Sequence, residues 1–158
     1  TILRMHSLIF READVDGGWY GNDTVWRMVL DLNRIMLYGT KDGALKESQQ
    51  RNIYTICDGI IAGESEGPLA PKPHHLGMGS FSSNSCLSDL VHSCLMGFDW
   101  SRIPLLDQGF AQFNYPLTKE RPQECVVYYQ GEEMSLLEVG ERLGHRFLAP
   151  SGWKKVLG

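Results

Sequence analysis

The stretch IYTICDGIIAGESEGPLAPKP, residues Ile53 to Pro73, changes character within its first third. Ile53, Tyr54, Thr55 and Ile56 form a β-branched and aromatic run of the kind that suits a half-buried strand. Asp58-Gly59 then gives a turn signal, because Gly accepts positive φ and Asp can bond its own backbone. The remainder of the stretch carries Gly63, Glu64, Glu66, Gly67 and three prolines. The expectation is a strand that breaks into an acidic, glycine-punctuated loop. Ligands of open α/β sheets bind where strands end and loops begin, so this loop is the expected working edge. Asp58 and Glu64 are its candidate catalytic carboxylates, and Gly63 and Gly67 bring backbone close to a ligand. The plainer reading is that Asp58 and Glu64 cap turns and Glu66 is solvated.

Upstream, Val25, Val29, Leu32 and Met36 recur at i, i+4, i+7 and i+11, the apolar stripe of an amphipathic helix, flanked by Trp26, Leu30 and Leu37. Trp26, Val29, Leu32 and Met36 are expected to be buried. Asn22 or Asp23 is the expected N-cap, and both are candidate ligand-binding residues beside the free N–H groups of the helix start. Asp23, Arg27, Asp31 and Arg34 make a ladder of alternating sign on one face. Gly39 to Gly43 closes this helix, and a polar connection leads to the strand.

Downstream, Leu76 to Phe81 reads as a second short strand. Leu87, Val91, Cys94 and Phe98 then form a helical stripe, with Ser83, Asn84 or Ser85 as its cap and Asp89 near its start. Asp89 is the third candidate catalytic carboxylate. Cys125 to Tyr129 reads as a strand. Ser135 with Glu138 three residues on is a capping box, and Gly144 stops the helix it opens. Phe110, Phe113 and Tyr115 give an aromatic surface, and the tail from His145 is expected to pack as an irregular cover. Strands interleaved with amphipathic helices predict an α/β fold in a single domain, residues 1–158, with a short mixed or parallel sheet flanked by helices in three layers.

At 158 residues, with 42% hydrophobic and 22% charged residues, the chain has the composition of an ordinary globular protein. No apolar run approaches membrane-span length, and the first ten residues lack the pattern of a signal peptide, so a cytoplasmic protein is expected. The net charge of -4 and dispersed basic residues argue against nucleic acid and anionic membrane as partners. Four cysteines without a Cys-x-x-Cys pair offer neither zinc-ribbon nor iron–sulfur spacing and read as reduced thiols. His74, His75, Cys86, Asp89, His92 and Cys94 are only superficially a metal cluster. Asp58, Glu64 and Asp89 together are the candidate ligands of a hard divalent cation, Mg or Ca. The common nucleotide, hydrolase and zinc-protease motifs are missing.

WYGNDTVWRMVLDLNRI (Trp19 to Ile35), DGIIAGESEGPLAPKP (Asp58 to Pro73) and the run from Asp89 through MGFD to IPLL (ending at Leu106) together resemble the C-terminal portion of the family called domain of unknown function 362 (DUF362). The resemblance implies that a longer N-terminal portion completes the family domain; the alternative expectation, independent of the resemblance, is a homo-oligomer. It also implies a third role, accessory subunit of an iron–sulfur protein. The function expected is ligand or metal binding at a carboxylate-lined, candidate catalytic cleft for a small molecule. The competing class is a non-enzymatic structural or interaction module.

Overall fold

The computed structural model describes residues 25–153, and their fold is of the α/β class. Asn22 and Asp23 lie outside the described residues. The elements in order are α1 (Val25–Tyr38), β1 (Thr55–Glu66), β2 (Ala70–Ser82), α2 (Ser85–Leu95), α3 (Pro104–Gly109), β3 (Val126–Tyr129), β4 (Glu132–Ser135) and α4 (Leu136–Leu143), with short 3₁₀ turns between them.

Both ladders are antiparallel two-stranded sheets, in place of the parallel or mixed sheet expected. The connections decide this. β1 and β2 are joined by only residues 67–69, and parallel strands need a crossover of a dozen residues or more. β3 and β4 are joined by Gln130-Gly131, whose φ values of 51° and 87° give the primed turn that matches strand twist.

β1 runs straight through the stretch expected to be a loop. Asp58-Gly59 makes no turn; Gly59 is buried at the pairing with Met78, and a Cβ there would stand 3.3 Å from Leu76 Cδ2. Close strand approach, not chain reversal, is what this glycine provides. Between Gly59 and Ile61 the register shifts: Gly59 faces Met78, whereas Ile61 faces His75. The extra residue falls on β2, where Gly77 adopts a φ of +69°. Pro71 and Pro73 sit in β2 opposite Ser65 and Gly63. They have no N–H to give, which confines them to a strand edge.

One side of the hairpin base meets α2, through Met78 packed on the core and Ser80 bonded to His92. The core is built from Leu95, Met134 and Val139, with Met78, Val91, Val127 and Leu143 around it. Each side chain fully withdrawn from water there contributes about 1.5–3 kcal/mol. Ile56 and Phe81, paired across the strands, are 81% and 68% exposed on the other side. Among the described residues, helices therefore cover one side of this ladder, and no three-layer arrangement is seen.

α1 buries a different face from the one expected. Leu30 and Tyr38 are buried, whereas Leu32 and Met36 are 39% and 42% exposed. The buried line is turned by about one residue, roughly 100°. Its partner explains the turn: Tyr38 Oη donates to Pro116 O at 2.6 Å and packs against Tyr115, and the Arg34 guanidinium lies 4.1 Å over the Phe113 ring. The aromatic stretch is thus engaged within the chain. Arg34 also pairs with Asp31 at 2.9 Å, its side chain 12% exposed against 71% for the aspartate. Arg51 reaches back to the Met36 and Gly39 carbonyls and closes the end of α1.

Two helix starts, those of α2 and α4, match the sequence. Asn84 Oδ1 accepts from Cys86 N at 2.9 Å and Leu87 N at 3.2 Å. Ser135 N donates to Glu138 Oε2 at 2.8 Å while Glu138 N donates to Ser135 Oγ at 3.3 Å. No helix among the described residues is long and apolar enough to cross a membrane.

Candidate functional site

The three candidate carboxylates do not meet. Asp58 and Glu64 lie on one strand, and six residues of strand separate them by about 20 Å. Asp89 lies on α2. Among the described residues no group of three or more His, Cys, Asp or Glu side chains is placed to hold a metal ion. The three carboxylates expected to share one cation, Asp58, Glu64 and Asp89, are thus not grouped around a common point. The physical reason is the strand that replaced the loop: an extended backbone cannot fold two of its own side chains onto one ion.

Asp58 bonds within its own strand, its Oδ1 accepting Ile60 N at 3.0 Å. Glu64 and Glu66 do something the sequence does not disclose. Glu64 Oε2 accepts Leu148 N at 2.9 Å, Ser65 N donates to Leu148 O at 2.7 Å, and Ser151 N donates to Glu66 Oε1 at 2.7 Å. The segment after α4 is thereby strapped to the hairpin tip. Its other side is bonded to the end of α2 through His145 N to Leu95 O and Phe147 N to Met96 O, so the expected tail cover is present through Trp153. Gly97 makes room for it, with a φ of +78° and the His145 carbonyl oxygen 2.5 Å from where a Cβ would stand. Gly63 and Gly67 belong to the same tip; Gly63 lets Pro71 pack, a Cβ there meeting Pro71 Cβ at 3.0 Å. Neither glycine lines the cleft between α1, α2 and α3 or the groove past Phe98 and Trp100.

Asp89 lines a pocket among the described residues. A cleft of about 110 Å³ lies between α1, α2 and α3, walled by Leu30, Leu105, Leu106, Phe110 and Leu117, with Asn33, Ser85, Cys86 and Asp89 as its polar side. Local rules place these groups. The Asn84 cap starts α2 immediately before Ser85 and Cys86, and Pro104 at the first position of α3 turns Leu105 and Leu106 inward. Cys86, Asp89 and His92 succeed one another at three-residue steps along one line of α2.

The titrating groups on that line are all perturbed. Burial pushes the Cys86 thiol up to about 11, assisted by the Asp89 charge and opposed by Arg34. The Asp89 carboxyl is raised above its ordinary value, chiefly by desolvation, with His92 pulling it back. By surface area Asp89 is an exposed residue that lines the cleft, so the desolvation acting on its carboxyl is partial. His92 is lowered by desolvation, with Asp89 opposing, and its Nε2 lies 2.8 Å from Ser80 Oγ. All four cysteines are free thiols. Cys86 is a poor nucleophile in this setting, because the thiolate is the reactive form.

A second, shallower groove of about 550 Å³ runs past Phe98, Trp100, Leu136 and Leu137, with Gln123, Ser135 and Glu141 among its polar residues. Sequence reasoning misses it, since its walls come from three separate segments. Its only local signal is the pair of aromatics bracketing Asp99. No family model, curated protein or solved structure matches the chain.

Proposed function

We propose that the chain is a ligand-binding α/β domain whose site is the cleft walled by α1, α2 and α3, with Asp89 as its acid–base group. The observation that carries this reading is the Asp89 carboxyl, raised in pKa, on the wall of a small, mostly apolar cavity beside Cys86, Ser85 and Asn33. Perturbed titratable groups at a pocket are where binding and acid–base chemistry concentrate. A volume of about 110 Å³ has room for roughly four waters. The ligand is therefore small, and it is uncharged: a raised carboxyl and a protonated thiol both favour neutral hydrogen-bonding partners over ions. Protonated, Asp89 donates to a carbonyl; ionised, it accepts from an amide or hydroxyl and can take a proton. Membership of the DUF362 family is part of the same proposal.

The test is titration of the isotopically labelled protein with acetamide or formamide. Amide shifts gathered at Ser85, Cys86 and Asp89, abolished by Asp89→Ala, support the cleft. Shifts gathered instead at Phe98 and Trp100, or none at millimolar ligand, overturn it.

A second reading, the interaction module, is favoured by one observation, the exposed apolar side of the hairpin formed by Tyr54, Ile56, Ile60 and Phe81. Tyr54 and Phe81 stack on each other with ring centroids 5.6 Å apart. Concentration-dependent sedimentation that Ile56→Thr and Phe81→Thr together abolish would support this reading; a monomer at all concentrations would count against self-association.

A further inference from the structure

We propose that Glu64, His74 and His145 form a proton-counting latch, which holds the segment after α4 against the hairpin tip and releases it when both histidines carry a second proton. His74 Nε2 lies 3.2 Å from His145 Nδ1, with the rings edge to face. His74 Nδ1 lies 3.4 Å from Glu64 Oε2, the same oxygen that accepts Leu148 N. The His74 ring stacks on Phe147 at 4.1 Å. These residues come from two hairpin strands and from the strap, so the line of contacts spans the junction.

A hydrogen bond between two imidazole nitrogens needs one N–H and one lone pair. The neutral pair supplies both. With one added proton, His74 donates from both nitrogens, one N–H to the Glu64 carboxylate and the other to His145 Nδ1, so the junction still holds. With a second added proton on His145, two N–H groups and two positive charges face each other across the 3.2 Å gap with no acceptor between them. The bond is then lost and replaced by repulsion.

The surrounding charges set the balance. β1 supplies Glu64, and Glu66, whose carboxylate is engaged by Ser151 N. β2 supplies Lys72, two residues from His74 and so on its face of the strand, while His75 points to the opposite face. The strap supplies exposed Arg146. α2 meets the strap through the carbonyls of Leu95 and Met96. Lys72 and Arg146 are thus the cations, and Glu64 and Glu66 the carboxylates, that these elements contribute.

Release frees Leu148 and Ser151 from the hairpin. It also lifts Trp153 from Phe98, whose ring centroid lies 6.4 Å away and which walls the larger groove.

The experiment is amide hydrogen exchange on the whole chain, corrected for intrinsic rates, between about pH 7.5 and about pH 5, which brackets the ordinary histidine range. Protection of Ser65, Leu148 and Ser151 should fall by about tenfold or more on acidification while Leu90 in α2 is unchanged. His145→Gln, uncharged at every pH, should show a flat profile, and His74→Gln serves the same purpose if the first variant folds poorly. Wild-type protection that does not change with pH overturns the latch, as does a glutamine variant that loses protection over the same range.

Discussion

Glu64 Oε2 accepts the backbone N–H of Leu148 across 84 positions of chain at 2.9 Å. A carboxylate that satisfies a main-chain donor in this way is a structural acceptor, and its charge strengthens the bond. Glu64→Gln keeps an acceptor oxygen but loses the charge, so the variant should fold and be about 1 kcal/mol less stable, the difference between a bond to a charged acceptor and one to a neutral acceptor. Denaturant unfolding with and without millimolar magnesium or calcium checks this. The two proteins should respond identically to the metal.

Gly97 is predicted to be intolerant of a side chain. Gly97→Ala places a Cβ in the left-handed region and against the His145 carbonyl. The cost should be about 1–3 kcal/mol. The strap should take most of it, read as lost exchange protection of the Phe147 amide that bonds to Met96 O.

The face that α1 buries can be tested by truncation. Leu30→Ala should cost about 2–5 kcal/mol, because a buried side chain leaves a cavity. Leu32→Ala should cost less than about 1 kcal/mol, since that residue is already 39% exposed. Equal losses would restore the face expected from the sequence.

Asp89 and His92 give opposite pH dependences. The folded Asp89 pKa is raised, so the folded state binds a proton more readily than the unfolded one. Stability from this group is present below the ordinary carboxyl value and is lost as pH rises through the raised value. The folded His92 pKa is lowered, so its contribution is full above the ordinary histidine value and is lost as pH falls toward the lowered one. Asp89→Asn should therefore be relatively more stable at neutral pH than at pH about 3, below the ordinary carboxyl value. It should also lower the His92 pKa further, since the carboxylate that opposes desolvation is gone. NMR titration of the His92 ring reads this directly.

The range of each interaction decides how much of the fold and the site is legible in the sequence. The Asn84 cap and the Ser135–Glu138 box are satisfied within three residues, so local residue types suffice to locate them. Asp58-Gly59 misleads because its local turn preference is overridden by strand pairing with Met78 and Gly79. The apolar stripe of α1 identifies a helix but not its orientation, which the contact between Tyr38 and the distant Tyr115 sets. Asp89 stands out as a candidate and does line a cleft; its cleft partners Asn33 and Phe110 come from other segments, and nothing local joins them to it. His74 and His145 are 71 residues apart, and nothing in either neighbourhood announces the other.

The two prolines of β2 have a wider meaning at the hairpin tip. Pro71 and Pro73 leave that strand's outer margin without donors, so an incoming strand finds nothing there to accept from. The opposite margin has no such protection of its own: Ser65 N–H points away from Pro71 and is taken up by Leu148 O. One border of the tip is closed by covalent structure and the other by a removable piece of chain. Acid conditions that lift the strap would then bare a single adhesive border, and the chain's solubility would come to depend on whether the segment around Leu148 stays in place.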